Sequence, residues 1–409
     1  MMYIKRKLEG PILSLSRQFP VVLISGPRQV GKTTLFERLR KRSRHAYVSL
    51  DEFEFRSTAK ADPALFLEKN PPPLIIDEIQ YAPQLLPYIK ARADRVKGKL
   101  SYWLTGSQQF HLMKGVSESL AGRVVILKLG GISLSEEEGN RSIGLLDILE
   151  KNRLPAKIRK PQINELFSRI IRGSFPKLIG RDAPPLENFY GSYVQTYIDR
   201  DLRDLVRVGS LSSFEKFIRL CAARTAQLLN LSDLARDSDI TVKTAKEWLS
   251  ILEASGHVFL LRPYYRNISK RLIKTPKLYF LDTGLACYLT NWKDPKSAMN
   301  GAMAGPLFES FVFSEIIKSF WNRGEEPPLW YYRTKEKEEV DVLIDVNGKL
   351  YPIEIKLSSK ISDHDLRGIN SLKRTKMPLG KAIFINASAS AYPLKEGIEA
   401  FPWTILAYL

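Results

Sequence analysis

Short apolar runs alternate with longer amphipathic stretches over the first third of the chain. The run at 21–24 is continuously apolar, and further strands are predicted at 46–50, 74–77 and 101–105. Such continuity is typical of strands that are buried on both faces of a sheet. The stretches between the runs have helical character, and one helix is predicted to begin near Lys32. Alternating strands and helices indicate a parallel α/β sheet.

The middle of the chain has helical periodicity. The polar segment 136–160 is interpreted as a lid or linker, and 161–210 is predicted to be helical. Apolar spacing then predicts three helices and a β-wing, at 214–226, 233–237, 242–254 and 257–266. This order matches a winged helix-turn-helix.

A hairpin signal marks the C-terminal part, where a helix precedes alternating strands. Asn347-Gly348 is a strong two-residue turn signal, and it pairs Val346 with Lys349. The same register places Asp341 opposite Glu354 and puts Lys356 on the same face of the sheet as Glu354.

The length of 409 residues exceeds a single domain of roughly 150 residues. The predicted fold class is α/β: a P-loop ATPase domain with a parallel sheet, a helical and winged-helix module, and an α/β nuclease-like domain. The predicted boundaries are 1–135 for the ATPase core, 136–210 for the lid and linker, 211–270 for the winged helix and 271–409 for the last domain.

The composition narrows the class of protein. Hydrophobic residues make up 44% and charged residues 26%, which excludes a fully disordered chain, a collagen-like fibre and a coiled-coil rod. Two cysteines, Cys221 and Cys287, exclude a disulfide scaffold and a zinc site built from cysteine alone.

The charge indicates the kind of partner. Lys and Arg number 63 against 44 Asp and Glu, a formal net charge of +19. A protein this basic usually meets a polyanion, and DNA is the leading candidate ahead of an anionic membrane surface. The first ten residues lack the apolar region of a secretory signal, and no apolar run of about 18 residues predicts a membrane span. A cytoplasmic location is expected.

A phosphate-binding loop stands at 26–33, where Gly-Pro-Arg-Gln-Val-Gly-Lys-Thr fits G-x-x-x-x-G-K-[ST]. In this pattern the backbone amides and a helix N-terminus cradle the phosphates of ATP. Lys32 reaches the β- and γ-phosphates, and the Thr33 hydroxyl is a ligand of Mg²⁺. The predicted nucleotide-binding residues are Gly26, Pro27, Arg28, Gln29, Val30, Gly31, Lys32, Thr33 and Thr34.

Four further residues complete the predicted ATPase site. The apolar run at 74–77 ends in Asp77-Glu78, which places Asp77 beside Mg²⁺ and Glu78 toward the attacking water. Ser107, after the fourth strand, either senses the γ-phosphate or caps a turn. Arg123 either acts as an arginine finger on the nucleotide of a neighbouring subunit or pairs locally with a carboxylate. A finger in trans implies a homo-oligomer, plausibly a ring such as a hexamer.

These features together resemble the AAA+ ATPases. The whole chain is similar to a prokaryotic ATPase family in which an AAA+ domain precedes a C-terminal domain of unknown function, DUF4143. The resemblance includes the phrases Tyr-Val-Gln-Thr-Tyr at 193–197, Arg-Asp at 200–201, Lys-Thr-Pro-Lys-Leu-Tyr at 274–279 and Asp-Thr-Gly-Leu at 282–285. The resemblance implies an ATP hydrolase with an AAA+ domain followed by a DUF4143 domain, and it does not identify the substrate.

Basic side chains on the winged-helix module are candidates for contact with DNA phosphates. They are Lys243, Lys246, Arg262, Arg266, Lys270 and Arg271. The alternative is that the module docks on a protein and that its lysines are merely solvated.

The hairpin carries a second candidate site. Carboxylates directly opposite each other are about 5 Å apart at Cβ and repel unless a cation lies between them. Mg²⁺ between Asp341 and Glu354, with Lys356 orienting water, would hydrolyse phosphodiesters. The pattern resembles the PD-(D/E)xK nuclease fold, whose helical glutamate would be Glu309. The alternatives are a salt-bridge lattice, with Glu339 opposite Lys356, or a nuclease-like fold without activity.

Three functions follow as hypotheses. The first is an AAA+ ATPase that uses ATP to remodel or translocate on DNA, with branched or structured DNA among its candidate substrates. The second is an ATP-dependent nuclease. The third is a nucleotide-switched regulatory or defence protein whose partner is another protein.

Overall fold

The first third of the chain folds around a five-stranded parallel sheet. The computed structural model describes residues 3–95, 101–106, 120–197, 211–265 and 275–409. The strands are β1 (Val21–Ser25), β2 (Ala46–Ser49), β3 (Leu74–Asp77), β4 (Tyr102–Gly106) and β5 (Val124–Lys128), in the order β2-β3-β4-β1-β5. The four predicted strands are confirmed to within one residue at each end. The edge strand β5 was not predicted.

Helices cover both faces of this sheet. They are α1 (Glu9–Leu15), α2 (Lys32–Ser43), α3 (Phe53–Ala61), α4 (Pro63–Lys69) and α5 (Leu85–Arg95), with a 3₁₀ turn at Ile79–Tyr81. Val21 and Leu23 of β1 pack in the core that includes α3 to α5, whereas Val22 and Ile24 face α2. Successive side chains of a strand point to opposite faces, so burial on both faces accounts for the unbroken apolar run.

The middle block is mainly helical and contains a small antiparallel sheet. Its elements are α6 (Leu134–Glu137), α7 (Leu145–Lys151), α8 (Ile163–Arg172), a 3₁₀ turn (Pro176–Leu178), α9 (Leu186–Tyr197), α10 (Leu211–Ala223), β6 (Gln227–Leu228), α11 (Leu231–Asp237), α12 (Val242–Ala254), β7 (Val258–Leu261) and β8 (Lys277–Phe280). The sheet order is β6-β8-β7, so this sheet includes residues on both sides of the predicted boundary at 270/271.

Two details of the middle block relate directly to the sequence. Helix α12 begins and ends at the predicted residues, 242 and 254. Helix α7 lies inside the segment that was interpreted as a polar lid or linker. Leu145, Ile148 and Leu149 give it a buried stripe at helical spacing, and the surrounding charged residues mask that stripe in the sequence.

The C-terminal part packs helices against a six-stranded mixed sheet. Its elements are α13 (Thr283–Leu289), α14 (Pro295–Asn300), α15 (Ala304–Trp321), β9 (Leu329–Arg333), β10 (Glu339–Val346), β11 (Lys349–Lys356), α16 (Arg367–Arg374), β12 (Ala382–Asn386), β13 (Tyr392–Lys395), β14 (Ile398–Pro402) and a 3₁₀ helix (Trp403–Tyr408). The sheet order is β13-β14-β12-β11-β10-β9.

The predicted register of the hairpin is confirmed. Val346 pairs with Lys349 and Val342 with Ile353. Asn347 and Gly348 both have positive φ, at 52° and 80°, as the predicted two-residue turn requires.

One apolar core joins the three parts of the chain. It includes one face of the parallel sheet, the middle helices and nearly all of α15. The domains are therefore held against one another by continuous packing. Among the described helices, none combines the length and the apolarity that a bilayer span requires.

Candidate functional site

The loop between β1 and α2 has the backbone that a phosphate site needs. Gly31 lies just before the helix with φ of 92°. A Cβ on Gly26 would lie 2.1 Å from the carbonyl oxygen of Leu129, so only glycine fits there. Both glycines let the backbone follow a path that a side chain would block.

Lys32 closes this loop from the inside. Its ammonium nitrogen donates hydrogen bonds to the carbonyl oxygens of Gly26, at 2.9 Å, and Pro27, at 2.8 Å. The residue is only 6% exposed. The charge thus lies within the loop where the phosphates of a nucleotide are expected to bind.

Three hydroxyl groups surround the carboxylate of Asp77 at the end of β3. Thr33 Oγ1 donates to Oδ2 at 2.8 Å, and the Tyr47 hydroxyl donates to the same oxygen at 2.7 Å. The Thr105 hydroxyl donates to Oδ1. Hydroxyl and carboxylate oxygens are ligands that Mg²⁺ accepts, so Thr33 and Asp77 fit the predicted metal site.

Glu78 follows Asp77 in a left-handed conformation, with φ of 56°. Its backbone N–H donates to Thr105 Oγ1 at 3.0 Å, and the Gln80 side-chain amide donates to its carboxylate. Sequence reasoning did not find Tyr47, Thr105 or Gln80. For Tyr47 and Thr105, one sequence signal pointed toward Asp77, because both residues lie on predicted strands next to β3.

Other predicted loop residues contact parts outside the sheet. The carbonyl oxygen of Val30 accepts a hydrogen bond from the Arg6 guanidinium at 2.8 Å. The ring of Pro27 lies against Gly256, where an added Cβ would be 3.0 Å from it. Gln29 has a positive φ of 60°. The phosphate loop is thereby packed directly against the turn that precedes β7.

Two further residues of the predicted ATPase site are Ser107 and Arg123. Ser107 lies outside the described residues. Arg123 is paired with Asp94, with 2.6 Å between Arg123 Nε and the carboxylate, and both side chains are about two-fifths exposed. Within the chain, Arg123 therefore makes a local ion pair.

The structure describes three of the six candidate residues for contact with DNA. Lys243 and Lys246 are exposed on α12, and Arg262 is half-buried just after β7. Arg266, Lys270 and Arg271 lie outside the described residues.

The C-terminal carboxylates come together as the hairpin predicted. Glu309 of α15, Asp341 of β10 and Glu354 of β11 line one cavity of about 670 Å³. Asp341 Oδ2 accepts the backbone N–H of Ile355 at 2.9 Å. Glu354 is 9% exposed, and its Oε1 is buried without a hydrogen-bond partner.

A lysine that the sequence did not single out lies at the centre of this cluster. Lys277 Nζ is 2.8 Å from Glu309, 2.8 Å from Glu339 and 3.3 Å from Asp341, and its side chain is 4% exposed. Lys356 instead pairs with Asp365 at 2.8 Å, with half of its side chain exposed. The cluster is thus Lys277 with Glu309, Glu339, Asp341 and Glu354, and this set is called the carboxylate cluster below.

Burial and charge shift the pKa values within the carboxylate cluster. Burial, reinforced by the charge of Asp341, raises the pKa of Glu309 to about 7 and that of Glu354 well above its ordinary value. Burial opposes the charge of Lys277, but nearby Tyr279, Glu309 and other acidic groups raise its pKa well above the ordinary range. A single ammonium therefore serves several carboxyl groups, some of which retain protons.

The carboxylate cluster does not fit a divalent ion in this arrangement. Across the described ranges, no group of three or more His, Cys, Asp or Glu side chains is placed to hold a metal. Oxygens of three of the four carboxyl groups, those of Glu309, Glu339 and Asp341, instead lie against the ammonium of Lys277.

A parallel sheet with a phosphate loop after β1 and Asp-Glu after β3 defines the class of AAA-type P-loop ATPases. Family models agree: residues 18–137 match an AAA domain, and 304–406 match a domain of unknown function, DUF4143. The chain therefore combines an AAA domain with a C-terminal DUF4143 domain. Residues 163–296 match a further domain of unknown function, DUF8612.

Similar proteins include uncharacterized proteins of Mycobacterium tuberculosis and Mycobacterium bovis. Each is 29% identical over 384 residues, which is 94% of this chain and 80% of the relative. Among solved structures, a Walker-type ATPase of Pyrococcus abyssi is 16% identical, with a TM-score of 0.44 over 70% of this chain and 96% of that one. The RuvB Holliday junction branch migration motor of Thermotoga maritima is 15% identical, with a TM-score of 0.32 over 63% of this chain and 90% of that one.

Proposed function

We propose that this AAA-type ATPase binds DNA and uses ATP to remodel it or translocate on it, with branched or structured DNA among its substrates. The observation that carries the proposal is the net charge of +19, together with two exposed lysines, Lys243 and Lys246, on a helix in a module of winged-helix order. Electrostatic contact with phosphates supplies most of the sequence-independent affinity for DNA.

The order of elements supports the winged-helix interpretation of residues 211–270, with a further strand beyond that boundary. Three helices, α10 to α12, are interleaved with a short strand and followed by two strands, in the sheet order β6-β8-β7. The third helix buries Ala245, Trp248 and Leu249 and exposes Lys243 and Lys246. The third helix of such a module is the one that enters the major groove.

The proposed chemistry assigns a role to each group at the nucleotide site. Lys32 and the loop amides would bind the phosphates, and Thr33 and Asp77 would hold Mg²⁺, which neutralises the charge that develops on the phosphates. Glu78 would polarise the attacking water, and Ser107 would sense the γ-phosphate. The contact between Pro27 and Gly256 offers a route by which a change in the loop would reach the winged-helix module.

An oligomer is part of the proposal because of Arg123. Its pair with Asp94 is exposed, and such surface pairs are worth only about 0–1 kcal/mol. Little free energy is therefore lost when Arg123 leaves Asp94 to contact the nucleotide of a neighbouring subunit in a ring such as a hexamer. Arg123→Ala should lower the ATPase rate of the assembled protein, and adding Glu78→Gln subunits with an intact Arg123 should restore part of it.

The central test is the steady-state ATPase rate with no DNA, duplex, single strand and a branched junction. Stimulation by one form would support the proposal and identify the substrate class. Glu78→Gln is the control for contaminating ATPases. A rate that no DNA form changes would favour the alternative of a nucleotide-switched protein whose partner is another protein.

A matched pair of variants tests the DNA-binding surface. Lys243→Glu with Lys246→Glu should weaken binding to duplexes of any sequence and reduce the slope of log K against log salt by about 2. Lys60→Glu with Lys69→Glu changes the net charge equally on exposed positions of α3 and α4. Equal losses in the two pairs would count against a DNA surface on α12.

The proposal does not extend to DNA cleavage. An ATP-dependent nuclease needs a divalent ion between Asp341 and Glu354, and Asp341 is already paired with the ammonium of Lys277 at 3.3 Å. Metal-dependent cutting that is lost in Asp341→Ala would revive that alternative.

A further inference from the structure

We propose that Lys277 is the built-in counter-cation of the carboxylate cluster and that it closes the cluster to divalent metal ions. This inference concerns the C-terminal domain alone and does not depend on DNA binding or on ATP hydrolysis.

The first observation is the placement of the ammonium. Three carboxylate oxygens, one from each of Glu309, Glu339 and Asp341, lie within 2.8 to 3.3 Å of Lys277 Nζ. An ammonium group has three hydrogen-bond donors, so these contacts use its full capacity. Mg²⁺ requires ligand oxygens at about 2.0–2.1 Å in octahedral order, and the ammonium occupies the point where those oxygens converge.

The second observation is that the lysine is held from several sides. Lys277 begins β8, a strand buried along its whole length between β6 and β7. Two residues on, the Tyr279 hydroxyl donates to Glu309 at 2.6 Å. The strand therefore brings a cation and a hydroxyl donor together to the same carboxylate of α15.

The third observation is the state of Glu354, the carboxylate that the ammonium does not reach. Its Oε1 is buried and without a partner, beside Gly368 and the cavity. A buried carboxyl oxygen without a hydrogen-bond partner is costly, so Glu354 is a further oxygen ligand available to a cation that replaces Lys277 beside Asp341. The carboxylates thus have the chemistry of a metal site, and the lysine prevents its use.

Lys277 also connects two parts of the chain. It belongs to the sheet of the middle block, whereas its three partners lie on α15 and β10 of the C-terminal part. A metal ion would stabilise the carboxylates without this connection. The lysine therefore neutralises the charge of the carboxylate cluster only when β8 is packed against the C-terminal part of the chain.

Binding of Mn²⁺ to the nucleotide-free, full-length protein tests the inference, with free Mn²⁺ measured by electron paramagnetic resonance. Up to about 1 mM, the weak end of protein affinities for such cations, the wild type should bind no more Mn²⁺ than Asp341→Asn. Lys277→Met should gain one Mn²⁺ per chain, and the double variant Lys277→Met/Asp341→Asn should lose it again. Lys318→Met is the matched control, because Lys318 is a buried lysine paired with Glu315 outside the cluster.

Either of two results would overturn the inference: Mn²⁺ bound by the wild type and lost in Asp341→Asn, or a folded Lys277→Met that gains no Mn²⁺. Circular dichroism shows whether the variants are folded. If Lys277→Met does not fold, the comparison of the wild type with Asp341→Asn still decides whether the native cluster admits a metal. An inactive nucleotide site would leave all these readouts unchanged, so failure of the proposed function is distinguishable.

Discussion

Asp77 and Asp341 are both carboxylates on strands of a sheet, but their neighbours differ in charge. Asp77 accepts hydrogen bonds from three neutral hydroxyl groups, of Thr33, Tyr47 and Thr105. Asp341 lies beside other carboxylates and the ammonium of Lys277. Hydroxyl donors orient a carboxylate and leave its charge for an incoming cation, whereas a lysine neutralises it. The same residue type thus has neutral hydroxyl donors as neighbours in one domain and a lysine cation in the other.

The largest expected effect comes from removing the cation of the carboxylate cluster. Lys277→Met leaves several buried carboxylates without their cation, and removing one partner of a buried pair typically costs about 3–5 kcal/mol. Urea denaturation should show this loss in the free energy of unfolding. Lys356→Met is the control, because its pair with Asp365 is half exposed and worth about 1 kcal/mol or less. Equal losses in the two variants would mean that Lys277 is not the cation on which the cluster depends.

The next effect is on catalysis. Asp77→Asn keeps the shape of the side chain and removes its charge, so kcat for ATP should fall by about 10²–10³-fold, the scale of losing one preorganised electrostatic contact. Asp341→Asn should leave the ATPase rate within a factor of two or so of the wild type. A large ATPase loss in Asp341→Asn would show that the two sites are coupled and would contradict the assignment of ATP hydrolysis to the site of Asp77 alone.

The acidity of Glu309 gives a pH test of the cluster. Because its pKa is raised from 4.5 to about 7, the folded protein holds a proton that the unfolded chain releases between these values. Stability therefore falls as the pH rises through this window. Glu309→Gln cannot release a proton, so the free energy of unfolding of the wild type should decrease relative to the variant from pH 4.5 to about pH 7. Parallel denaturation midpoints across that range would contradict the raised pKa.

How much of each site could be predicted depends on where its residues lie in the sequence. The phosphate loop and Asp77-Glu78 are contiguous motifs at the ends of apolar strands, and Asn347-Gly348 determines the register that brings Asp341 near Glu354. These features are local, so sequence patterns report them. The family-like phrase at 274–279 contained Lys277, but nothing near it indicated three carboxylates as its partners.

The residues that were missed come from elements joined only by folding. Tyr47 reaches Asp77 because β2 and β3 are neighbours in the sheet, although 30 residues separate them. Lys356 was expected beside Asp341 because strand alternation places it on the same face as Glu354. Its long side chain instead reaches Asp365, a carboxylate that the hairpin arithmetic could not include. Patterns of period two assign faces of a strand, but flexible side chains choose among the partners on that face.

The smallest expected effect concerns the hydroxyl donors of Asp77 at the nucleotide site. Tyr47→Phe removes one of the two hydroxyl donors to Asp77 Oδ2 and preserves the ring, which stacks near Arg40. A hydrogen bond to a charged group is worth about 1.5–3 kcal/mol, so affinity for a fluorescent ATP analogue should fall by about 10- to 100-fold. The loss should be present with Mg²⁺ and absent with EDTA, since Tyr47 acts on the nucleotide only through Asp77. Tyr88→Phe, at an exposed position of α5, is the control. A loss of equal size in EDTA would mean that Tyr47 supports the fold of the loop and does not position the carboxylate.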